Sequence, residues 1–345
     1  MTDSERLNSM LENIDDKYNK TEGSFFYDAE MPVAIELNKA DAKADTILDK
    51  GFVDTATGSD LERKVAQQGI YRKQATKSSG LVTIGGSVGA LIKIGDKVAS
   101  DTLSFKFTEN NVIPISGIID VNVECEQFGS TGNVPISAIK YFPTTLSGLT
   151  TVTNTLAFDN GYNAETDDSL RQRYYLKVQT PGTSGNKYHY LNWAKEITGV
   201  GDARVIPLWD GNGTVKVVII NSNKVGASTE LINEVIAHIE ENKPIGATVT
   251  VISAIEVSID TYATLVIDTD NYTTEQAQTN IINNITKYLA SIAFVEDYVS
   301  YAKTGNEIIN ADGVEDYSGL QINGGITNIA IGNEEVAVIG GVVFG

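Results

Sequence analysis

The sequence is poor in the residues that hold metals and form disulfides. Its 345 residues include one cysteine and two histidines. A single cysteine excludes an internal disulfide, and Cys125 lies in the alternating segment VNVEC, where we expect it to be a small core residue of a strand. His189 and His238 lie in helical patterns without CxxC or HxxxH spacing, so the sequence offers no zinc site. We therefore expect no metal and no cofactor.

Long apolar segments are also missing. No run approaches the roughly 20 residues that cross a bilayer, and the N-terminal MTDSERLNSM lacks the apolar core of a secretion signal. We expect the protein to be made and assembled in the cytoplasm. The formal net charge is −19, and residues 196–345 hold 20 acidic and 6 basic residues. Such a surface repels phosphates and anionic lipids. We expect no nucleic acid and no membrane as partner; a basic protein partner and simple solubility both stay open.

Hydrophobic periodicity divides the chain into four parts: residues 1–78, 79–159, 160–253 and 254–345. The first is a predicted helical arm, in which Leu7, Met10, Leu11 and Ile14 form one apolar stripe without an evident local partner.

Two further helical segments are predicted in the arm. One runs from Pro32 to about Asp49, and Ser59 caps the other, which runs to about Lys77.

The second part changes to a period of two. Phe105 and Phe107 alternate with polar residues, and turn signals recur every 8–12 residues, which favours a small β-barrel or sandwich. The GGSVG at 85–89 resembles a phosphate loop, but neither a lysine-serine pair nor a helix follows it. We expect a β-turn there.

The last two parts are predicted to be related α+β units, so that the fold class is α+β and multidomain. In 160–253, Ser184 caps a helix that ends at Gly199, and Gly211-Asn212-Gly213 forms a tight hairpin. A helix follows Ser228, and helices on one face of a small antiparallel sheet complete the unit.

The unit 254–345 has a capping box at Thr273 and Gln276. A second GV-x-D turn at 313–316, with a strand and a Gly324-Gly325 turn after it, predicts a matching hairpin and hence a degenerate duplication.

The candidate site is an acidic cluster followed by arginines. Glu165, Asp167 and Asp168 precede Arg171 and Arg173, which is compatible with an acid/base site whose pKa values the arginines shift. The alternative is a helix start that Thr166 caps, with ion pairs from Asp168 and Asp167 to Arg171. We favour the helix start, because no histidine, cysteine or second carboxylate motif accompanies the cluster, and we predict no catalytic residue.

The run from Asn160 through Arg173 resembles the acidic-then-arginine signature of the baseplate J family, the wedge proteins of contractile phage tails and phage-tail-like particles. Short motifs on both sides extend this resemblance over most of the chain, in order and at compatible spacing. They are Gly23-Ser24, Tyr27-Asp28, Pro32, Ala34-Ile35-Glu36, Thr55-Ala56, Gly58, Leu61, Gly69, Arg72-Lys73, Ala75, Gly132-Asn133-Val134, Tyr188, Trp193, Ala194, Gly199-Val200 and Gly213-Thr214-Val215.

The resemblance implies a structural protein of the baseplate, in a virion or a bacteriocin-like particle, and not an enzyme. It implies contacts with copies of the same chain in the ring, with a wedge partner of the tail protein I family, and with the sheath initiator and the central hub. The mechanism would be mechanical, passing a receptor-binding signal to the sheath. Two alternatives stay open: a receptor- or carbohydrate-binding tail module, and a glycosidase, which needs two carboxylates about 5–9 Å apart.

Overall fold

Residues 1–180 and 185–345 are described by the computed structural model, in which the chain forms two units. The first unit comprises Met1–Arg72 and Thr166–Tyr175, and the second comprises Lys73–Glu165 and Leu176–Gly345. Helices at the N-terminus, a barrel-like sheet and further α+β parts confirm the predicted fold class. The finer division at residues 78, 159 and 253 stays a prediction.

The first unit is helical. Its helices are α1 (Asp3–Glu12), α2 (Phe25–Gly51), α3 (Gly58–Val65) and the beginning of α4 (Asp167–Gln179).

Helix α1 packs on α2, which supplies the partner that the apolar stripe lacked in the sequence. Leu7 and Leu11 are buried together with Ala34 of α2, and Met31 packs against them. A capping box begins α1, in which Thr2 is the N-cap. The two helices therefore form a hairpin with a small apolar core.

Helix α2 begins earlier than predicted. Ser24 is its N-cap, accepting a hydrogen bond from the N–H of Tyr27 at 3.4 Å, and Pro32 lies inside the helix. The expected start at Pro32 is wrong, because the φ that proline imposes is compatible with the helix and the chain on both sides continues it.

Helix α3 is shorter than predicted. Thr57, not Ser59, is its N-cap, and a 3₁₀ turn follows Val65. Gly69 then takes a positive φ of 68°, a conformation that favours glycine and ends the helix. The helix expected to reach Lys77 therefore stops a dozen residues earlier, and Lys77 begins a strand.

The second unit begins with a nearly closed, barrel-like sheet. Its strands are β1 (Lys77–Gly86), β2 (Leu91–Ile92), β3 (Lys97–Ala99), β4 (Ser104–Phe107), β5 (Asn111–Val112), β6 (Ile118–Phe128) and β7 (Leu149–Thr153). The main sheet has the order β3-β4-β6-β1-β7, and β2 pairs with β5. Phe105, Phe107 and Cys125 are buried in its core, as their alternation predicted. The GGSVG segment ends β1 in a turn, where Ala90 N–H donates to Ser87 O at 3.0 Å.

The first α+β part has two helices and a three-stranded sheet. They are α5 (Lys187–Glu196), β8 (Val200–Pro207), β9 (Thr214–Asn221), α6 (Thr229–Asn242) and β10 (Thr248–Ser253). The predicted hairpin and the Ser228 cap of α6 are confirmed. The prediction of a purely antiparallel sheet is wrong, because α6 is a crossover connection that makes β10 parallel to β9. Asn186 is the N-cap of α5, and Ser184 lies outside the described residues.

The second α+β part is built from a similar sheet with a different strand order. Its elements are β11 (Ile255–Ile267), α7 (Thr274–Ile292), β12 (Tyr298–Val299), α8 (Tyr301–Ile309), β13 (Val314–Ile322), β14 (Ile329–Ala330) and β15 (Glu335–Phe344). The capping box of Thr273 and Gln276 is confirmed. The prediction of a second hairpin is wrong, because β13 pairs with β11 and β14 pairs with β12. In both parts, however, the middle strand is antiparallel to one neighbour and parallel to the other.

Candidate functional site

The signature begins helix α4 as the sequence predicted. Thr166 Oγ1 accepts the N–H of Ser169 at 3.2 Å, and Asp167 and Asp168 occupy the first turn. Carboxylates at this end of a helix interact favourably with its exposed N–H groups. The cap and the two aspartates therefore specify where α4 starts.

Asp167 connects α4 to the N-terminal segment. It accepts the N–H of Gly58 at 2.9 Å and pairs with Arg72, whose guanidinium also pairs with Glu62. The hydrogen bond from Gly58, followed by that from Arg72, lowers the pKa of Asp167. The predicted pair between Asp167 and Arg171 is wrong, because Arg72 takes the carboxylate instead.

Burial lowers the pKa of the Arg72 guanidinium, but hydrogen bonds to Glu62 and Asp167 outweigh this and leave it raised. Arg72 is therefore a permanent cation between two carboxylates.

Arg171 holds the loop between α2 and α3. Its guanidinium donates to the carbonyl oxygens of Val53 at 2.8 Å and Ala56 at 2.9 Å, and it forms the predicted pair with Asp168 at 2.7 Å. Arg173 donates to the carbonyl oxygen of Tyr71 at 2.7 Å. The arginines of the signature thus bind backbone carbonyls of the same unit.

Leu170 lies between these polar contacts and is fully buried. Its neighbours in this core are Ala56, Leu61, Val65 and Ile70, with Val53 and Tyr174 packed at the edge. The sequence does not predict this role of Leu170, although the i, i+4 spacing of Leu61 and Val65 indicates one apolar face on α3.

Glu165 has a contact within the second unit. Its carboxylate accepts the N–H of Lys73 at 3.2 Å. The Nζ of Lys73 donates to the carbonyl oxygens of Ile197 and Val200, at 2.7 and 3.1 Å. Lys73 thereby satisfies carbonyl groups around the end of α5.

This arrangement is better suited to holding helices together than to proton transfer. A general acid or base works best with a pKa near the working pH, whereas the pKa of Asp167 is shifted away from neutrality. Of the two histidines, His189 stacks on Trp193 and His238 pairs with Glu196 at 2.8 Å. The absence of catalytic residues stays a prediction.

Among residues 1–180 and 185–345, no group of three or more His, Cys, Asp or Glu side chains is placed to bind a metal. In the same ranges, every helix is too short or too polar to traverse a bilayer.

Three domain families match consecutive stretches of the chain. They are the "Baseplate J-like protein barrel domain" over residues 81–161, the "Baseplate J-like central domain" over 182–253, and the "Baseplate J-like protein C-terminal domain" over 257–345.

Among similar proteins, "Phage-like element PBSX protein XkdT" of Bacillus subtilis (strain 168) is 35% identical, covering 97% of this chain and 93% of that protein. "Baseplate protein gp47" of Escherichia phage Mu is 29% identical, covering 49% of this chain and 48% of that protein. Among solved structures, the "Cryo-EM structure of the anti-feeding prophage (AFP) baseplate, 6-fold symmetrised" aligns with a TM-score of 0.43 at 9% identity, covering 97% of this chain and 90% of that chain. The chain belongs to the baseplate J-like family of phage-tail baseplate proteins.

Proposed function

We propose that this protein is a wedge protein that links copies of itself and neighbouring baseplate proteins into the ring around the central hub. Its partners are a wedge protein of the tail protein I family, the sheath initiator and the hub. In this role it relays the receptor-binding signal to the sheath by rearranging its contacts, without enzymatic chemistry. Family membership supports the place of assembly, and the first unit supports the linking role.

The observation that carries the linking role is the uncovered half of helix α2. This helix has 27 residues and α1 has 10, so α1 is long enough to cover only part of it. At about 1.5 Å per residue, α2 is about 40 Å long. Its C-terminal half is exposed, including the large apolar side chains of Ile47 and Leu48. A helix of this kind gains stability by packing against another helix.

The test places a charge on this half of α2 in the full-length protein, and particles are then prepared from the bacterium that carries the gene. Ile47→Glu and Leu48→Glu are expected to leave the monomer folded, because both side chains are exposed, and to lower the yield of complete particles seen by electron microscopy. Ala42→Glu is the matched control, since position 42 is exposed and lies on the other side of the same helix. Normal yields with both apolar substitutions would contradict the proposed contact.

A further inference from the structure

Two loops of the second unit lie side by side and form what we call the loop tip, residues 208–213 and 244–247. The first is the hairpin loop between β8 and β9, and the second is the turn between α6 and β10. Thr248 N–H donates to Gly213 O at 2.9 Å and joins the two loops. The two loops are therefore neighbours at one end of the sheet, although 30 residues separate them in the chain.

Three large apolar side chains are exposed on the loop tip. Leu208 is 63% exposed, Trp209 is 40% exposed and Ile245 is 106% exposed. Turns usually carry small polar residues, and tryptophan is over-represented among the residues that dominate binding energy at protein interfaces. Three exposed apolar side chains on two neighbouring loops indicate a binding surface for another molecule.

The backbone fixes how these side chains are presented. Leu208 has a positive φ of 58°, a conformation that is unfavourable for a non-glycine residue. A hydrogen bond from its N–H to Thr214 O, at 2.8 Å, stabilises this conformation. Ile245 lies in a turn closed by Ala247 N–H donating to Pro244 O at 3.2 Å. Gly246, at φ 89°, supplies the positive φ of that turn. The loops are thus held in one shape before any partner arrives.

Trp209 is held in place by a cation. The Nζ of Lys216 lies 4.1 Å from the centre of the indole ring. Lys216 is itself positioned by an ion pair with Glu334 at 2.7 Å. A side chain already fixed in this way loses less conformational entropy when it binds. Trp209 is therefore suited to anchor an interface.

The charges around the loop tip indicate what kind of surface it meets. Asp210 lies in the hairpin loop and Glu241 in the last turn of α6; both are exposed, and neither forms an ion pair with the residues that the structure describes. Lys243 is paired with Glu240 at 2.7 Å. A second copy of the tip would bring equal charges together, and an anionic bilayer would repel them. A basic surface is complementary to this acidic rim.

We propose that the loop tip inserts Trp209, Leu208 and Ile245 into an apolar pocket with a basic rim on another protein of the same particle. This inference rests on the proposed function, since it takes the partner from the assembled baseplate. Trp209 is the anchor, Leu208 and Ile245 fill the pocket beside it, and Asp210 and Glu241 face the basic rim.

The experiment introduces the photo-cross-linker p-benzoylphenylalanine at position 209 of the full-length chain in assembled particles. Position 262 is the control, because Tyr262 is an aromatic residue of comparable exposure, 43%, in another part of the same unit. We expect irradiation to join position 209 to a single particle protein of net positive charge. A cross-link to another copy of this chain, to lipid, or in no greater yield than from position 262 would overturn the inference.

The cross-linked protein is then purified and titrated with the chain. Trp209→Ala is expected to weaken binding by about thirty-fold, the size of a hot-spot loss, and Tyr262→Ala to leave it unchanged. Equal effects of the two substitutions would overturn the inference.

The recovery of the chain in purified particles tests the proposed function separately. Particles that contain the chain but give no cross-link from position 209 would overturn the loop-tip proposal alone.

Discussion

Asp167 pairs with Arg72, which lies 95 residues earlier in the chain, and both side chains belong to the first unit. Among the described residues, the adjacent Asp168 forms its ion pair within its own helix, with Arg171. Two neighbouring carboxylates of one signature thus have different roles: Asp167 joins α4 to distant parts of the sequence, and Asp168 supports the first turn locally.

This difference predicts unequal effects of two equivalent substitutions. Asp167→Asn removes the ion pair with the mostly buried Arg72 and should destabilise the first unit by about 1–2 kcal/mol. Asp168→Asn removes an exposed ion pair and a charge at the helix start, and it should cost less, at most about 1 kcal/mol. Thermal unfolding followed by circular dichroism measures both, and hydrogen exchange at Gly58 N–H should accelerate only in Asp167→Asn. Equal losses of stability would contradict this assignment.

The same carboxylate predicts a dependence on pH. Its pKa is lowered in the folded state, so the stability it contributes is fully present above its unfolded pKa of about 4 and is lost as the pH falls further. The difference in unfolding free energy between the wild type and Asp167→Asn should be constant from neutral pH to about pH 5 and shrink below about pH 4. If the difference in unfolding free energy grew as the pH fell, the pKa of Asp167 would be raised in the folded state, which would contradict the assignment.

The sequence predicts a structural feature well when the residues that determine the feature lie close together in the chain. The cap at Thr166, the capping box at Thr273 and the alternation around Phe105 involve residues within a few positions of one another, and all are confirmed. The partner of Asp167 could not be predicted in this way, because Arg72 is brought to it by the packing of Leu170 on α3.

Strand pairing shows the same limit. The glycines after β8 specify a hairpin that is visible in the sequence, and the structure contains it. The Gly324-Gly325 turn has a similar pattern, yet the strand before it pairs with β11. Which strand becomes the neighbour is decided by the packing of the whole sheet, on which the turn residues carry no information.

Two glycines with the same backbone conformation provide a matched test of packing in the second unit. Gly199 and Gly211 both have φ of 96°, but an added Cβ would meet the ring of Tyr162 at 2.7 Å at position 199 and nothing within 4 Å at position 211. Tyr162 is 7% exposed, and this burial also raises the pKa of its hydroxyl to about 12.

Gly211→Ala should therefore cost about 1–2 kcal/mol for the backbone alone, and Gly199→Ala about 1–3 kcal/mol more for the clash. Urea unfolding followed by tryptophan fluorescence measures both losses of stability, because both tryptophans, Trp193 and Trp209, lie in the second unit. Equal costs would mean that Tyr162 moves aside freely.

The central claim is that this chain is a structural part of the baseplate ring. Gold-labelled antibodies against the chain, applied to intact purified particles, test it most directly by showing where the protein lies. We expect label at one end of the tail, where the baseplate is, in particles that have lost none of their sheath. Label along the sheath or tube, label on the fibres alone, or purified particles that lack the chain would contradict the claim.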